Sequence, residues 1–405
     1  MNTQETITFS ELGLHDVLLK GLEDLGFEKA TPIQEKAIPL IIEGSDLIGC
    51  AQTGTGKTAA FLLPILHRIL VAGDLNSTKC LIIVPTRELA LQIDQQLQGL
   101  SYYTGISSIP VYGGGSGDVF SIEKKALSEG ASVIIATPGR LIAHLSMNYV
   151  NMDKLEFLIL DEADRMLDMG FYQDIRKIVS YLPKKRQNLM FSATMPPKIR
   201  TLAKETLHEP VEISIAVSIP AEKIIQVGFS VYATQKIPLI LHIFKARSFN
   251  RVIIFCSTKD SAKKLTKSLK SLKVQVEEIH SDLDQKQREE VLNLYKANRL
   301  NVLVATDVLS RGIDIEDIEL VINFDVPNEG EDYIHRIGRT ARAASKGAAF
   351  TLISPEEQYK FRNIEALLGK EIPKGKLPET LGEAPVYDPR KNNGAPPRNR
   401  KPRRK

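Results

Sequence analysis

Two short runs hold residues whose types and order suit phosphate chemistry. The first is Ala51-Gln-Thr-Gly-Thr-Gly-Lys-Thr58. Its glycines, Gly54 and Gly56, let backbone N–H groups turn inward around phosphate oxygens. A helix expected from Ala59 onward points its positive end at the same anion. Lys57 is spaced to reach the β- and γ-phosphates, and the Thr58 hydroxyl to bind Mg²⁺. The run meets the pattern GxxxxGK(S/T) except at its first position, Ala51, so a glycine-rich turn before a helix is the plain alternative. The second run, Asp161-Glu-Ala-Asp164, follows directly on the apolar segment Phe157-Leu-Ile-Leu160. Transfer of a phosphoryl group to water needs two different carboxylates. One holds Mg²⁺ through its hydration shell; the other orients and deprotonates the water. Asp161 is assigned to the metal and Glu162 to the water. Acids are common in loops after strands, and it is the company of the Lys57 loop that gives this pair its meaning.

These residues need a scaffold that brings them together. Short apolar runs recur at Leu81–Val84, Val133–Ala136, Phe157–Leu160, Val252–Phe255, Val302–Ala305 and Leu320–Asn323. Each is apolar on both faces and reads as a strand buried on both sides. Amphipathic stretches such as Arg87–Leu100 and Thr258–Leu272 lie between them and read as helices. Strand–helix alternation predicts an α/β fold with parallel sheets covered by helices. Ligands of such sheets sit at the carboxyl ends of strands, where the acidic run falls. The strands form two groups, and the segment His208–Glu222 between them has two prolines and no helical period. The expected division is an entry region over 7–35, a first domain over 36–207, a linker over 208–222, a second domain over 223–370 and a tail over 371–405.

Composition agrees with this division. A chain of 405 residues predicts two or three domains. With 43% hydrophobic and 25% charged residues, disorder over most of the length is excluded. Cys50, Cys80 and Cys256 lie far apart, with no CxxC pair and no histidine at zinc spacing, which argues against a disulfide scaffold or a zinc site. No apolar run approaches the ~20 residues of a membrane-spanning helix. The start, MNTQETITFS, lacks the pattern of a signal peptide. A cytoplasmic protein without a membrane partner is expected. The net charge of +4 hides an asymmetry: residues 386–405 hold eight Lys/Arg and one acid, for +7, leaving the other 385 residues at −3. A tail of Arg, Lys, Pro, Asn and Gly is expected to be disordered and to attract polyanions, nucleic acid foremost. A solubilising tail is the alternative.

Further motifs, in order, resemble those of the DEAD-box ATP-dependent RNA helicases of superfamily 2, over residues of about 9–355. They are Phe9 with Gly26-Phe-Glu-Lys-Ala-Thr-Pro-Ile-Gln34, the Ala51–Thr58 run, PTRELA at 85–90, Gly113-Gly114, TPGR at 137–140, DEAD at 161–164 and Ser192-Ala-Thr194. The second group of strands adds IIFCST at 253–258, Gln285-Lys-Gln-Arg288, ATDVLSRGID at 305–314 and YIHRIGRTAR at 333–342.

The resemblance implies two tandem RecA-like domains with parallel sheets, ATP and RNA lying across the cleft between them. It also implies roles. The Gln34 amide pairs with N6 and N7 of adenine, by analogy with adenine reading in DNA. Phe9 and Phe27 are candidates for packing near the base, with core packing as the alternative for either. Pro32 holds Thr31 extended and so aims that loop. Thr31, Thr53, Gly54, Thr55, Gly56, Lys57 and Thr58 line the nucleotide, and Asp314 holds its ribose. Asp164 with Ser192 and Thr194 forms a hydrogen-bond bridge toward the domain interface, which His335 joins. Arg336 and Arg339 resemble arginine fingers, while Asp307 and Arg342 support the interface.

Pro85, Thr86, Arg87, Gly113, Gly114, Thr137, Pro138, Gly139, Arg140, Arg288 and Thr306 are implied to grip RNA. They offer cations, hydroxyls and backbone N–H groups, which hold phosphates and sugars but read no bases. Rejection of DNA would rest on 2′-OH contacts. Ala341, Ala344 and Ser310 depart from the family by small changes. The short N-terminus and basic tail look like the bacterial RhlE-like branch. The expected activity is RNA-stimulated ATP hydrolysis with local separation of short duplexes or remodelling of ribonucleoproteins. An ATP-gated RNA clamp is the alternative. A P-loop kinase or transporter ATPase would leave the HRIGR run and the tail without a job. A monomer is expected, with ribosomal or RNA-decay proteins as possible partners of the tail.

Overall fold

The computed structural model describes residues 7–51, 54–113, 117–215, 224–306, 318–340 and 347–389. The chain divides into two compact units, residues 1–218 and 219–405.

The strands of the first unit are β1 (Leu47–Cys50), β2 (Cys80–Ile83), β3 (Ser108–Val111), β4 (Val133–Ala136), β5 (Phe157–Leu160), β6 (Gln187–Ser192) and β7 (Val211–Ser214). They form one sheet in the order β3-β4-β2-β5-β6-β1-β7. All pairs are parallel, and parallel neighbours need crossover connections. The unit's helices are α1 (Asp16–Asp24), α2 (Pro32–Glu43), α3 (Lys57–Ala72), α4 (Arg87–Leu100), α5 (Gly117–Glu129), α6 (Pro138–Leu145), α7 (Ala163–Asp168), α8 (Tyr172–Ser180) and α9 (Pro197–Thr206). Alternate strand residues feed two cores. Ile82, Ile135, Ile159 and Leu189 pack on one face with Phe61; Leu81, Ile134, Leu158 and Met190 pack on the other. Burial of each such side chain contributes about 1.5–3 kcal/mol.

Register decides what the sheet presents at its carboxyl rim. Ile83 lies opposite both Ala136 and Leu160, and Val111 opposite Ala136. Cys50 lies opposite Ser192. The loops after β3, β4 and β2 therefore leave side by side, carrying Gly113, TPGR and PTR. The loops after β5, β6 and β1 leave beside them, carrying DEAD, Ser192-Ala-Thr194 and the Lys57 loop. One half of the rim holds the expected RNA residues and the other half the expected nucleotide residues.

The second unit holds β8 (Ile225–Ser230), β9 (Val252–Cys256), β10 (Val276–Ile279), β11 (Val302–Thr306), β12 (Leu320–Asn323) and β13 (Ala348–Ile353). Their order is β10-β11-β9-β12-β13-β8, again parallel throughout. Its helices include α10 (Ala233–Ala246), α11 (Lys259–Ser271), α12 (Gln285–Lys296) and two more at Gly330–Ile337 and Gln358–Leu368. The α/β class with two parallel-sheet units agrees with the expectation.

Two boundaries differ. The expected linker, 208–222, contains β7, which pairs with β1. The buried Asp46 fixes the approach to that strand: its Oδ2 accepts the His208 N–H at 2.7 Å, and its Oδ1 the Asn188 N–H at 2.7 Å. Only Ile213 of the strand is buried, so no apolar run marks it. The rest of that segment, from 216 on, lies outside the described residues. The expected tail also begins too early. Ile372 is buried, and Gly228 donates its N–H to Pro373 O at 2.9 Å and accepts from Gly375 at 2.8 Å. The Gln358 amide takes the Asp388 N–H at 2.8 Å and donates to Val386 O at 2.9 Å. Residues 371–389 are thus packed on the second unit through single anchors that have no period. The eight basic residues all fall within 390–405, outside the described residues.

Candidate nucleotide and RNA site

Gly54 and Gly56 both have left-handed backbone, with φ of 81° and 87°. Gly56 caps α3, and a Cβ there would stand 2.4 Å from Gln34 Nε2. No larger residue fits, because the amide of Gln34 already fills the space. Gln34 is buried in the first turn of α2. Its Oε1 accepts the Thr31 N–H at 2.8 Å, and its Nε2 donates to Gly56 O at 3.1 Å. The residue expected to read adenine is therefore bonded to the phosphate loop itself. Lys57 is buried and donates to Ala51 O at 2.6 Å, across the base of the same loop. Thr31, Thr55 and Thr58 are half-buried around it, and Thr53 lies outside the described residues.

Of the two aromatic candidates, Phe9 is a core residue. It is 3% exposed and belongs to the core cluster that also holds Leu12, Leu18 and Ile33. Phe27 is 41% exposed.

The two carboxylates after β5 stand in different surroundings. Asp161 is buried, and its Oδ1 accepts the Glu162 N–H at 2.9 Å. Burial holds its carboxyl up at about 6, against the pull of the Lys57 ammonium and with a further push from Glu162. Glu162 has φ 49°, a left-handed conformation that a residue with a Cβ seldom adopts and that costs on the order of 1 kcal/mol or more. This turn starts α7. Arg165, one turn on, donates to Glu162 Oε2 at 3.0 Å. Asp164 faces the next loop: its Oδ2 accepts from Ala193 N at 3.1 Å, Thr194 N at 3.0 Å and Thr194 Oγ1 at 3.1 Å. Ser192 Oγ accepts the Asp164 N–H at 3.3 Å and donates to Thr194 O at 2.7 Å. The structure thus joins the DEAD loop to Ser192-Ala-Thr194.

A DEAD/DEAH box helicase model matches residues 31–202, and a helicase conserved C-terminal domain model matches residues 235–344. The chain is 42% identical over 365 residues to the ATP-dependent RNA helicase CshA of Listeria monocytogenes, covering 90% of this chain and 69% of that protein. It belongs to the DEAD-box ATP-dependent RNA helicase family. ATP-dependent RNA helicase DeaD of Buchnera aphidicola is 39% identical over 378 residues, 93% of this chain and 62% of the relative. The chain therefore spans about two thirds of the length of these relatives. The solved structure of S. cerevisiae Dbp5 bound to RNA and ADP BeF3 superposes with a TM-score of 0.80 at 30% identity, covering 91% of this chain and 95% of the other. CshA and DeaD are names that do not bear on the RhlE-like branch.

In this DEAD-box chain the other half of the rim is built as follows. Pro85 is buried, and Thr86 caps α4 by accepting the Leu89 N–H at 3.3 Å. The Arg87 guanidinium lies over the Tyr112 ring, 4.3 Å from its centroid. Gly113 and Gly139 are exposed, Thr137 is half-buried, and Pro138 is buried at the first position of α6. Arg140 turns inward, its side chain only 17% exposed. Its Nε and Nη2 both lie 2.7 Å from Glu123 Oε2. The free guanidinium expected for gripping phosphate is instead an ion pair inside the unit. Gly114 lies outside the described residues.

In the second unit Thr306 ends β11 half-buried, and Arg288 Nη2 donates to Ser281 O at 3.1 Å. His335 and Arg339 are half-buried. Arg336 is different: 4% exposed, it donates through Nη1 to Asn323 Oδ1 at 3.0 Å and Asp325 O at 3.2 Å, over the Phe255 ring. It shares the inner side of its helix with Tyr333 and Ile337. Asp307, Asp314 and Arg342 lie outside the described residues.

Two residues escaped the sequence reading. Arg165 follows Glu162 at helical spacing, where opposite charges meet. Glu123 falls on the inner period of α5 with Phe120 and Leu127, and a charge at an apolar position is the signal that marks it.

Proposed function

We propose that this chain is an RNA-stimulated ATPase that separates short RNA duplexes locally, without reading sequence. The observation that carries this is the placement of Lys57, Asp161 and the Asp164–Thr194 bridge on adjacent loops of one rim, beside the RNA half of the same rim.

The donor set fits Mg²⁺-ATP. Asp161 is a buried carboxylate raised to about 6, which a dication would return to its charged form. The described residues hold no cluster of three His, Cys, Asp or Glu side chains. That suits an ion held by few protein ligands, its own waters and phosphates. Thr58 and Asp161 would hold it, and Mg²⁺ would neutralise charge on the phosphates. Lys57, released from Ala51 O, moves to phosphate oxygens. Glu162, kept in place by Arg165, takes the proton of the attacking water. Arg339 is the guanidinium that stabilises charge on the transferring phosphoryl group. Backbone N–H groups at Gly113 and at the start of α6 hold RNA phosphates, while 2′-OH contacts separate RNA from DNA.

The test is ATPase turnover with no polynucleotide, with single-stranded RNA and with DNA of the same sequence, together with displacement of a duplex of about 10 base pairs. Stimulation by RNA alone, with displacement, is expected. Equal turnover in all three conditions would overturn the reading.

A further inference from the structure

Glu123 is 2% exposed, and its carboxylate meets parts of the RNA half of the rim from below. Oε1 accepts the N–H of Tyr112 at 3.1 Å, one residue before Gly113. Oε2 accepts from Nε of Arg140 at 2.7 Å and from Nε2 of His144 at 2.9 Å, and Nη2 of Arg140 lies within ion-pair distance at 2.7 Å. His144 is fully buried, and its Nδ1 meets the Tyr149 hydroxyl. The Phe120 ring stacks on the His144 imidazole at 4.5 Å and 13°, and the Arg140 guanidinium lies 4.6 Å from its centroid. Arg87 rests on the Tyr112 ring. The segment before Gly113 and TPGR are thereby tied to one carboxylate, and Arg87 of PTR reaches it only through Tyr112. Burying a carboxylate costs several kcal/mol unless its lone pairs are filled, and here every donor comes from an RNA motif or from the helix behind it. Burial pushes the carboxyl up, but the His144, Arg140 and Tyr112 donors outweigh it, so it stays below the usual range for glutamate.

We propose that Glu123 is a positioning residue for RNA binding, holding Gly113 and the start of α6 in fixed relation to one another, with His144 steadying it from inside. This rests on the RNA reading of the rim.

The test measures ATPase against RNA concentration in the full chain, with thermal melting as a control for folding. Glu123→Gln keeps the shape but, whichever way the amide turns, faces an N–H group toward a donor, either that of Tyr112 or those of Arg140 and His144. Expected is a rise of roughly tenfold in KM for RNA, with kcat at saturating RNA falling less than threefold. His144→Phe keeps the stack on Phe120, removes the donor to Glu123 and should raise KM for RNA about threefold. The double variant should be no worse than Glu123→Gln, because His144 acts through the carboxylate. A folded Glu123→Gln protein with unchanged KM for RNA overturns the proposal, as does an equal loss in kcat and KM with a lowered melting point. If Glu123→Gln does not fold, His144→Phe decides, and an unchanged KM for RNA overturns it. A wild-type chain that RNA does not stimulate overturns the underlying reading and this proposal with it.

Discussion

Asp164 Oδ2 stands 3.1 Å from the Thr194 hydroxyl and takes that donor together with the N–H groups of Ala193 and Thr194. One carboxylate oxygen thus fixes the loop after β6 to the turn after β5. The bonds are unequal in what their loss would do. Thr194→Ala removes one donor and should cost about 1 kcal/mol, whereas Asp164→Ala strands two backbone donors and should cost about 3 kcal/mol. Urea denaturation of the two variants measures the difference, and equal costs would mean the loop is held by other contacts.

Glu162 is held by Arg165 in a left-handed turn, a conformation retained at some expense in strain. Glu162→Gln should slow hydrolysis by 10²-fold or more while nucleotide and RNA still bind. Arg165→Gln should slow it less, since the carboxylate stays but loses its aim. Single-turnover hydrolysis with a parallel nucleotide-binding titration reads both; turnover surviving in Glu162→Gln would remove it as the base.

Asp161 makes stability depend on pH. Its folded carboxyl titrates at about 6, above the ordinary value of 3.8. The folded state therefore holds the proton more tightly, and the associated stability is present below about 4 and lost as pH rises through about 6. Asp161→Asn should be more stable than the wild type by roughly 2–4 kcal/mol at pH 8 without Mg²⁺, converging with it near pH 4. Denaturation at both pH values checks the sign. The affinity for Mg²⁺ should weaken as pH drops through about 6.

Gln34 bridges Thr31 and Gly56 with one lone pair and one N–H, which leaves the second of each for an adenine edge. Gln34→Ala should reduce the preference for ATP over GTP by about tenfold and also loosen the phosphate loop, weakening both nucleotides. Competition binding separates the two effects; unchanged selectivity would place base reading elsewhere.

Removal of residues 390–405 takes away eight positive charges and leaves the packed segment through Tyr387 intact. RNA affinity should fall, and its dependence on log salt should flatten by ~0.7 for each single-strand phosphate that the tail no longer neutralises. An unchanged slope would leave the tail as an aid to solubility. A cut at 386 would be ambiguous, because Val386 and Asp388 are bonded to Gln358.

Six strands, β2, β4, β5, β9, β11 and β12, were legible because both faces of each are apolar, which leaves few alternatives for runs such as Leu81–Val84; the other seven, such as β6 (Gln187–Ser192) with its polar ends, were not read. The chemistry-bearing residues were legible because glycine, lysine and paired acids at fixed spacing have few other uses. What sequence does not carry is direction. Arg140 and Arg336 each offer a cation at a motif position, yet Glu123 and Asn323 draw them inward. Phe9 is likewise a large ring whose burial depends on which neighbours arrive from α1 and α2. β7 and the 371–389 segment escaped because each is held by single anchors, Ile213 and Ile372, which make no period.

Every strand of the first sheet runs the same way, so its starts line an opposite edge about 13 Å from the reactive one. The connections arriving there, such as Asp153–Lys154 and Lys184–Lys185, expose their side chains and carry none of the reacting groups. That edge is where a fluorophore, an affinity handle or an inserted peptide can be attached while the molecule keeps working.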